Sequence, residues 1–201
     1  MAIKFQYNKT SLQQLEKQLK MRVRTLPIIK NKESALRMEV KKCKAEVAAL
    51  ECRLEEQIGE YETMFALWSE FMPSIVGVKD VDMGVKKIAG VRVPVLNRVE
   101  LRVEPFSMFN SPKWYYDGIA LLRGLAQTAI EREFAQAKLN LLEFSRKKTT
   151  QKVNLFEKVQ IPGYEDALRK IKRFMEDEEN LSKSSQKILK TLQEKRKEVA
   201  V

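Results

Sequence analysis

The stretch "LQQLEKQLKMRVRTLPIIKNKESALRMEVKKCKAEVAALECRLEEQIGEYETMFALWSEF", residues 12–71, repeats apolar residues every seven positions, and this repeat determines the architecture. One set of positions is Leu12, Leu19, Leu26, Glu33, Val40, Val47, Leu54, Tyr61 and Trp68. The other set is Leu15, Arg22, Ile29, Leu36, Cys43, Leu50, Gln57, Met64 and Phe71. Because fifteen of these eighteen positions are apolar, the spacing predicts one helix of a left-handed coiled coil. Sixty residues of helix would be about 90 Å long and need a partner to cover the seam.

The second half of the chain is expected to supply that partner. Its apolar residues follow steps of three and four: Leu122, Ala126, Ile130, Phe134, Ala137, Leu141 and Phe144, then Val153, Leu168, Ile171, Met175, Leu181, Ile188 and Leu192. In antiparallel pairing the numbers of facing residues would sum to about 190. The helix beyond about residue 188 would then have no partner.

A second stretch, "QKVNLFEKVQIPGYEDALRKIKRF" at residues 151–174, carries Pro162 and Gly163 inside this helical pattern. In a helix interior, a proline costs roughly 3 kcal/mol and a glycine about 1 kcal/mol. With a sum of about 190, Pro27 lies opposite Pro162. We therefore expect both helices to be interrupted at one level by a shared bend.

Between the helices the pattern changes to period two, which is typical of β-strands. In "GVRVPVLNRVELRVEPF", residues 90–106, Val99 and Leu101 alternate with Arg98 and Glu100. We predict a mainly α protein: a long antiparallel two-helix coiled coil of N- and C-terminal helices, with a small β-hairpin-containing insertion at the distal end. The predicted domains are residues 1–72, 73–116 and 117–201. Pro94 is expected at a strand edge or bulge.

The net charge of +11 raises the possibility of an anionic partner. Residues 1–60 contribute +5, residues 61–145 contribute nothing, and residues 146–201 contribute +6. The basic residues are interleaved with acids, which favours solvated helix faces over a nucleic-acid groove. The residues 176–179, "EDEE", are interpreted in the same way, as a solvated face.

The chain offers little chemistry for catalysis. It contains no histidine, and neither a GxxxxGK[ST] loop nor a GxGxxG motif after a strand is present. Asp80 and Asp82 lack the further acidic residues of an EF-hand and are predicted to form a plain turn. Cys43 and Cys52 project from opposite sides of one helix, which favours a reducing compartment. We expect no enzyme activity, catalytic residue, metal or cofactor.

An aromatic cluster accompanies the insertion: Trp68, Phe71, Phe106, Phe109, Trp114, Tyr115 and Tyr116. Aromatic side chains can stack on nucleic-acid bases, but stacking platforms are usually accompanied by a basic groove. Because residues 61–145 are neutral overall, a small apolar core is the favoured interpretation.

Three segments resemble the D subunit of the V-type and archaeal A-type rotary ATPases. Residues 12–36 resemble the family's leucine-spaced first helix, which ends in Leu-Leu-Lys-x-Lys; Ile28, Ile29, Lys30 and Lys32 occupy that pattern. "GVRVP", residues 90–94, resembles the family's Gly-Val-x-Val-Pro. "KVNLFEKVQIP", residues 152–162, resembles Arg-Val-Asn-Ala-Leu-Glu-x-x-x-Ile-Pro, and the residues that match directly are Val153, Asn154, Glu157, Ile161 and Pro162. Gln151 and Lys152 stand where the family usually has two arginines.

The resemblance implies a non-catalytic central-stalk protein, a rotor shaft that transmits torque between the ATP-hydrolysing or ATP-synthesising ring and the ion-translocating rotor in the membrane. The implied partners are the catalytic and nucleotide-binding ring subunits, the small F subunit of the central stalk and a membrane-rotor adaptor. The implied partner-binding residues are Lys30, Lys32, Lys152, Asn154, Glu157 and Pro162. The implied location is cytoplasmic and peripheral, without nucleic-acid binding or direct membrane insertion.

Two alternatives remain open at this point. The net charge permits a basic coiled-coil protein that binds nucleic acid, and the helical pattern permits a coiled-coil scaffold or tether. Binding to DNA at about 150 mM salt would favour the first alternative, since weak non-specific attraction is lost at that ionic strength.

Overall fold

A computed structural model describes residues 4–63, 65–107, 109 and 111–199 of the chain. In chain order the elements are α1 (Lys9–Thr63), α2 (Phe65–Trp68), a 3-10 turn (Pro73–Ile75), β1 (Val76–Ile88), β2 (Val91–Val103), α3 (Tyr115–Asn154), a π-helical turn (Leu155–Gln160) and α4 (Ile161–Val199). The predicted fold is confirmed: long helices at both ends of the sequence enclose a two-stranded antiparallel hairpin. The described residues form two compact units, unit 1 (Met1–Asn31 and Thr150–Val201) and unit 2 (Lys32–Thr149).

The seam predicted for α1 is present. Asn8 starts the helix by accepting a hydrogen bond from the Ser11 backbone N–H at 2.7 Å, as an N-cap does. All described seam residues from Leu12 to Phe71 are buried or half-buried, and Met64 lies outside the described residues. The three polar members, Arg22, Glu33 and Gln57, are half-buried.

The predicted seam of the second helix is only partly correct. Leu122, Ala126, Ile130 and Phe134 are half-buried, as expected. The next three predicted positions, Ala137, Leu141 and Phe144, are exposed. Leu139 and Leu142 are buried in their place.

Unit 2 contains a core with three contributors. Its buried residues are Leu36, Val40, Cys43 and Val47 of α1, Leu139 and Leu142 of α3, and Val93 of β2. Val93 is fully buried because the face of the hairpin that carries Ile88 and Val91 also packs against this cluster. The β-hairpin therefore packs against α1 and α3 within unit 2 and contributes to their shared core.

The hairpin turn has the geometry that a tight connection requires. Ala89 has φ = 47° and Gly90 has φ = 82°, so both central residues lie in the left-handed region, as in a type I′ turn. The strands pair from Ile88–Val91 to Val76–Val103. Pro94 pairs with Val85, and both strands of a two-stranded sheet are edge strands, the setting in which a proline is tolerated.

The turn predicted at Asp80 and Asp82 is wrong. Both residues lie inside β1, where Asp80 pairs with Glu100 and Asp82 with Arg98. The register shifts twice nearby, once at Lys79 of β1 and once at Asn97 of β2, which the pairing skips.

The aromatic cluster forms a separate core in unit 2. Phe71, Ile75, Tyr115 and Ile119 are buried there, with Trp68, Phe106 and Trp114 packed around them. The Tyr115 hydroxyl donates a 2.6 Å hydrogen bond to the Glu70 carbonyl oxygen. The interpretation as a small core is confirmed for these residues, whereas Phe109 and Tyr116 are exposed.

In unit 1 the two helices pack on each other around Leu15, Tyr164, Ala167, Leu168 and Ile171. All described side chains from Glu176 to Lys195 are exposed, which confirms the solvated face at residues 176–179. Exposure begins about a dozen residues before the predicted position near 188. Leu181, Ile188 and Leu192, which were predicted in the seam, are among these exposed residues.

The two prolines of unit 1 are accommodated differently, and the predicted interruption of both helices is wrong. Helix α1 continues through Pro27. In the second helix, the Ile161 backbone N–H bonds to the carbonyl of Phe156, five residues back, at the end of the π-helical turn. A wider turn moves the Lys158 carbonyl away from the ring of Pro162, with which it would clash in a regular α-helix. Pro162 comes just after the π-helical turn in a helix that is otherwise continuous, so the irregularity lies where the proline requires it.

Candidate functional site

Five of the six predicted partner-binding residues lie in unit 1, beside the π-helical turn. Glu157 lies within that turn, Asn154 and Pro162 flank it, and Lys152 is in the last turn of α3. Lys30 comes from α1. The sequence motif therefore corresponds to a local structural irregularity in the second helix.

Lys30 and Glu157 are the pair that the structure brings into direct contact. The Lys30 ammonium lies 2.8 Å from a Glu157 carboxylate oxygen, and both side chains are 46% exposed. Such a half-exposed ion pair contributes little to stability, typically less than about 1 kcal/mol. The pair links α1 to the π-helical turn, while the buried residues of unit 1 hold the two helices together.

The remaining predicted residues do not join this pair. Lys152 is exposed, with its ammonium 6.0 Å from the Phe156 ring centre. Asn154 and Pro162 are exposed on the surface of unit 1. Lys32 belongs to unit 2, where its ammonium lies 3.4 Å from the position that a Cβ on Gly90 would occupy. Lys32 therefore lies beside the hairpin turn.

Sequence reasoning missed a second contact at the π-helical turn. Arg22 donates from Nε to the Gln160 side-chain oxygen at 2.7 Å, and its guanidinium lies 4.6 Å from the centre of the Tyr164 ring. A signal was available, because Arg22 is a charged residue at a seam position. Arg22 and Lys30, which precede and follow Pro27 in the sequence, thus both contact the π-helical turn.

In unit 2, three ion pairs join α1 to α3. Lys44 lies 2.8 Å from Glu143, Lys138 lies 3.1 Å from Glu46, and Arg132 lies 3.0 Å from Glu51. The hydrogen bond from Lys44 is the main cause that lowers the pKa of Glu143 below its ordinary value. Opposite charges therefore face each other along the two helices of this unit.

Register explains why these partners could not be named in advance. The residue numbers of pairs that bridge the helices sum to values between 182, for Arg22 with Gln160, and 188, for Glu16 with Lys172. The predicted sum of about 190 is thus close but too large. A difference of a few residues moves a side chain to another face of a helix.

The structure also has an open groove of about 470 Å³ in unit 2, between β2 and α3. Pro94, Leu96 and Phe134 supply its apolar wall, and Glu131 and Lys138 its charges. Among the described residues, no group of three or more His, Cys, Asp or Glu side chains could hold a metal ion. No helix in the described part of the chain is both long and apolar enough to cross a bilayer.

Taken together, the fold defines a class of helical-hairpin proteins in which two long antiparallel helices are joined through an inserted β-hairpin. The family model that describes the D subunit of ATP synthase matches residues 11–191, so the chain belongs to the ATP synthase D-subunit family.

Individual relatives agree with the family match. The chain is 31% identical over 193 residues to the D subunit of the V-type ATP synthase of Borreliella burgdorferi, with 94% of each chain covered. It is 30% identical over 182 residues to the corresponding V-type ATP synthase D subunit of Chlamydia trachomatis, covering 88% of this chain and 90% of the relative. Another relative, the V-type ATP synthase D subunit of Chlamydia pneumoniae, is 28% identical over 186 residues, which cover 88% of this chain and 87% of the relative.

Proposed function

We propose that this protein is the non-catalytic central-stalk component of a V-type rotary ATPase and transmits torque between the ATP-processing ring and the ion-translocating rotor in the membrane. The proposal rests on membership of the D-subunit family together with the helical hairpin. ATP chemistry is assigned to partner subunits, and the location to the cytoplasmic side of a membrane-bound complex.

The observation that carries the proposal is the bridging of antiparallel helices by both apolar and charged contacts. In unit 2, Leu36 and Leu142 are fully buried between α1 and α3, and three ion pairs flank them. In unit 1, Ile171 is fully buried and the Lys30–Glu157 pair bridges the helices. Twisting one helix against its partner would pull these side chains out of close packing, so a pair of helices resists torsion better than one helix.

The proposed partners are the catalytic and nucleotide-binding ring subunits, the small F subunit of the central stalk and the membrane-rotor adaptor. Lys30, Lys32, Lys152, Asn154, Glu157 and Pro162 are proposed as contact residues. Lys152 and Asn154 are exposed and available to a partner. Lys30 and Glu157 already bind each other, so they would contribute by holding the π-helical turn in position.

Affinity purification of the chain from its native host tests the assembly. Recovery of ATPase ring subunits in stoichiometric amounts is the expected result. Recovery of nucleic acid without ring subunits, together with retardation of DNA at about 150 mM salt, would favour the nucleic-acid alternative and overturn the proposal.

Torque transmission is tested in the reconstituted complex with the variant Leu142→Ala, which removes a fully buried contact between the helices. We expect ion pumping to fall more than ATP hydrolysis, because a weakened shaft loses coupling before the ring loses chemistry. Leu141→Ala is the matched control, since Leu141 is 43% exposed on the neighbouring position. Equal pumping by the wild type and the Leu142 variant would contradict the torque role.

A further inference from the structure

The C-terminal part of α4 presents an apolar stripe that the described residues leave uncovered. Leu181, Ile188 and Leu192 are 69%, 61% and 51% exposed. With Ser185 between them, their spacings are four, three and four residues, which places all four side chains on one face within about 60°. This face has the spacing of a coiled-coil seam and has no partner in unit 1 among the described residues.

The two ends of the stripe carry opposite charges on the same face. Glu178 lies three residues before Leu181, and Lys195 lies three residues after Leu192. Both charged side chains are exposed. On this face, therefore, an acidic residue precedes the stripe and a basic residue follows it.

This order is self-complementary in one orientation only. In two antiparallel copies related by a dyad between Gln186 and Lys187, Glu178 faces Lys195, Leu181 faces Leu192, and Ser185 faces Ile188. Each of these layers occurs twice. Parallel copies would instead place Glu178 against Glu178 and Lys195 against Lys195, which charge repulsion disfavours.

We infer that the free chain associates with a second copy of itself through residues 178–195 of α4, as an antiparallel helix pair. The interface is isologous, with the same patch used on both copies. Eighteen residues of overlap give about 27 Å of contact, so the dimer is weak and forms at high protein concentration. This inference does not depend on the stalk function, and a partner that covers the stripe in an assembly would compete with the dimer.

Sedimentation velocity of the full chain from about 10 µM to about 1 mM tests the inference over the range of weak interfaces. The wild type is expected to shift from monomer to dimer. Glu178→Lys and Lys195→Glu should each weaken association by about tenfold or more, since each places like charges in two layers. An equimolar mixture of these two variants should dimerise like the wild type, because both layers regain opposite charges.

Glu176→Lys and Lys190→Glu are the matched controls, since they make the same charge changes at exposed positions off the stripe. Far-UV circular dichroism checks that each variant remains helical. A wild type that stays monomeric at about 1 mM overturns the inference. So does a mixture that associates no better than its components, or a Lys190 variant as weak as the Lys195 variant.

Discussion

Unit 1 and unit 2 use the same two-helix motif but bury it to different extents. In unit 2, β2 adds Val93 to the seam, and Leu36, Leu142 and Val93 are all fully buried. In unit 1 the helix pair has no strand beside it among the described residues, and the Lys30–Glu157 bridge is half exposed. The strand thus adds a third contributor to the buried seam of unit 2, whereas the buried seam of unit 1 is formed by the two helices alone among the described residues.

The largest predicted effect is at Leu142. Leu142→Ala should lower the free energy of unfolding by about 2–5 kcal/mol, because the side chain is removed from a closed core that cannot collapse fully. Leu141→Ala should cost far less, since Leu141 is 43% exposed. Denaturant unfolding monitored by hydrogen exchange should assign the loss to unit 2; similar losses for the two variants would refute the core described here.

The next effect concerns the hairpin. Val93→Ala removes a fully buried side chain and should destabilise unit 2 by about 2 kcal/mol through lost burial and a residual cavity. Val85→Ala is the control, because Val85 lies in the partner strand and is 75% exposed. Amide exchange in β1 and β2 should accelerate in the Val93 variant, while exchange around Ile171 in unit 1 should not change. Unchanged exchange in the hairpin would show that Val93 does not anchor it.

The buried seam of α1 could be predicted from the sequence, whereas that of α3 could be predicted only in part. The α1 seam was predictable because α1 keeps one heptad repeat facing one partner, and even polar Arg22, Glu33 and Gln57 are half-buried there. On α3 the repeat pointed to Leu141 and Phe144, whereas Leu139 and Leu142 are buried. Helix α3 in unit 2 contributes to a core that also receives β2, and a one-helix pattern does not reveal this second neighbour.

The candidate site, too, could be predicted only in part from the sequence. The family resemblance marked Lys30 and Glu157 as partner-binding residues but did not predict that they form an ion pair with each other. It did not identify Arg22 with Gln160, because that pairing depends on a register that seam spacing fixes only to within a few residues. The π-helical turn was likewise not predicted, although Pro162 marked the position of an irregularity.

Alkaline pH should lower the stability of unit 2 more than that of unit 1. Burial raises the pKa of the Cys43 thiol above 9.0 in the core of unit 2. Burial alone lowers the pKa of Lys138, but its hydrogen bond to Glu46 and the nearby charges outweigh this and raise the pKa above 10.5. Since both folded-state values are raised, the stability these groups contribute is present below the unfolded values and is lost as the pH rises through the folded ones.

The measurement is the free energy of unfolding of unit 2 from neutral pH to above pH 9.0, the ordinary thiol value. We expect a decline that begins above this pH and that Cys43→Ala makes shallower, because the variant has no thiol to ionise. The exchange rates around Ile171 in unit 1, corrected for intrinsic pH dependence, serve as the internal control. A decline of equal slope in the wild type and the Cys43 variant would assign it to other groups.

The smallest predicted effect is a difference between two ion pairs, one in each unit. In unit 2, the Lys138 side chain is 22% exposed and its partner Glu46 is 42% exposed, whereas Lys30 and Glu157 of unit 1 are both 46% exposed. Double-mutant cycles with alanine should give a coupling of less than about 0.5 kcal/mol for Lys30–Glu157 and up to about 1 kcal/mol for Lys138–Glu46. Raising the salt to about 1 M should remove most of the first coupling and less of the second, because screening acts most strongly on exposed charges. If the couplings are equal and equally sensitive to salt, the third element of unit 2 does not change the environment of its charges, and the contrast between the units is confined to their apolar seams.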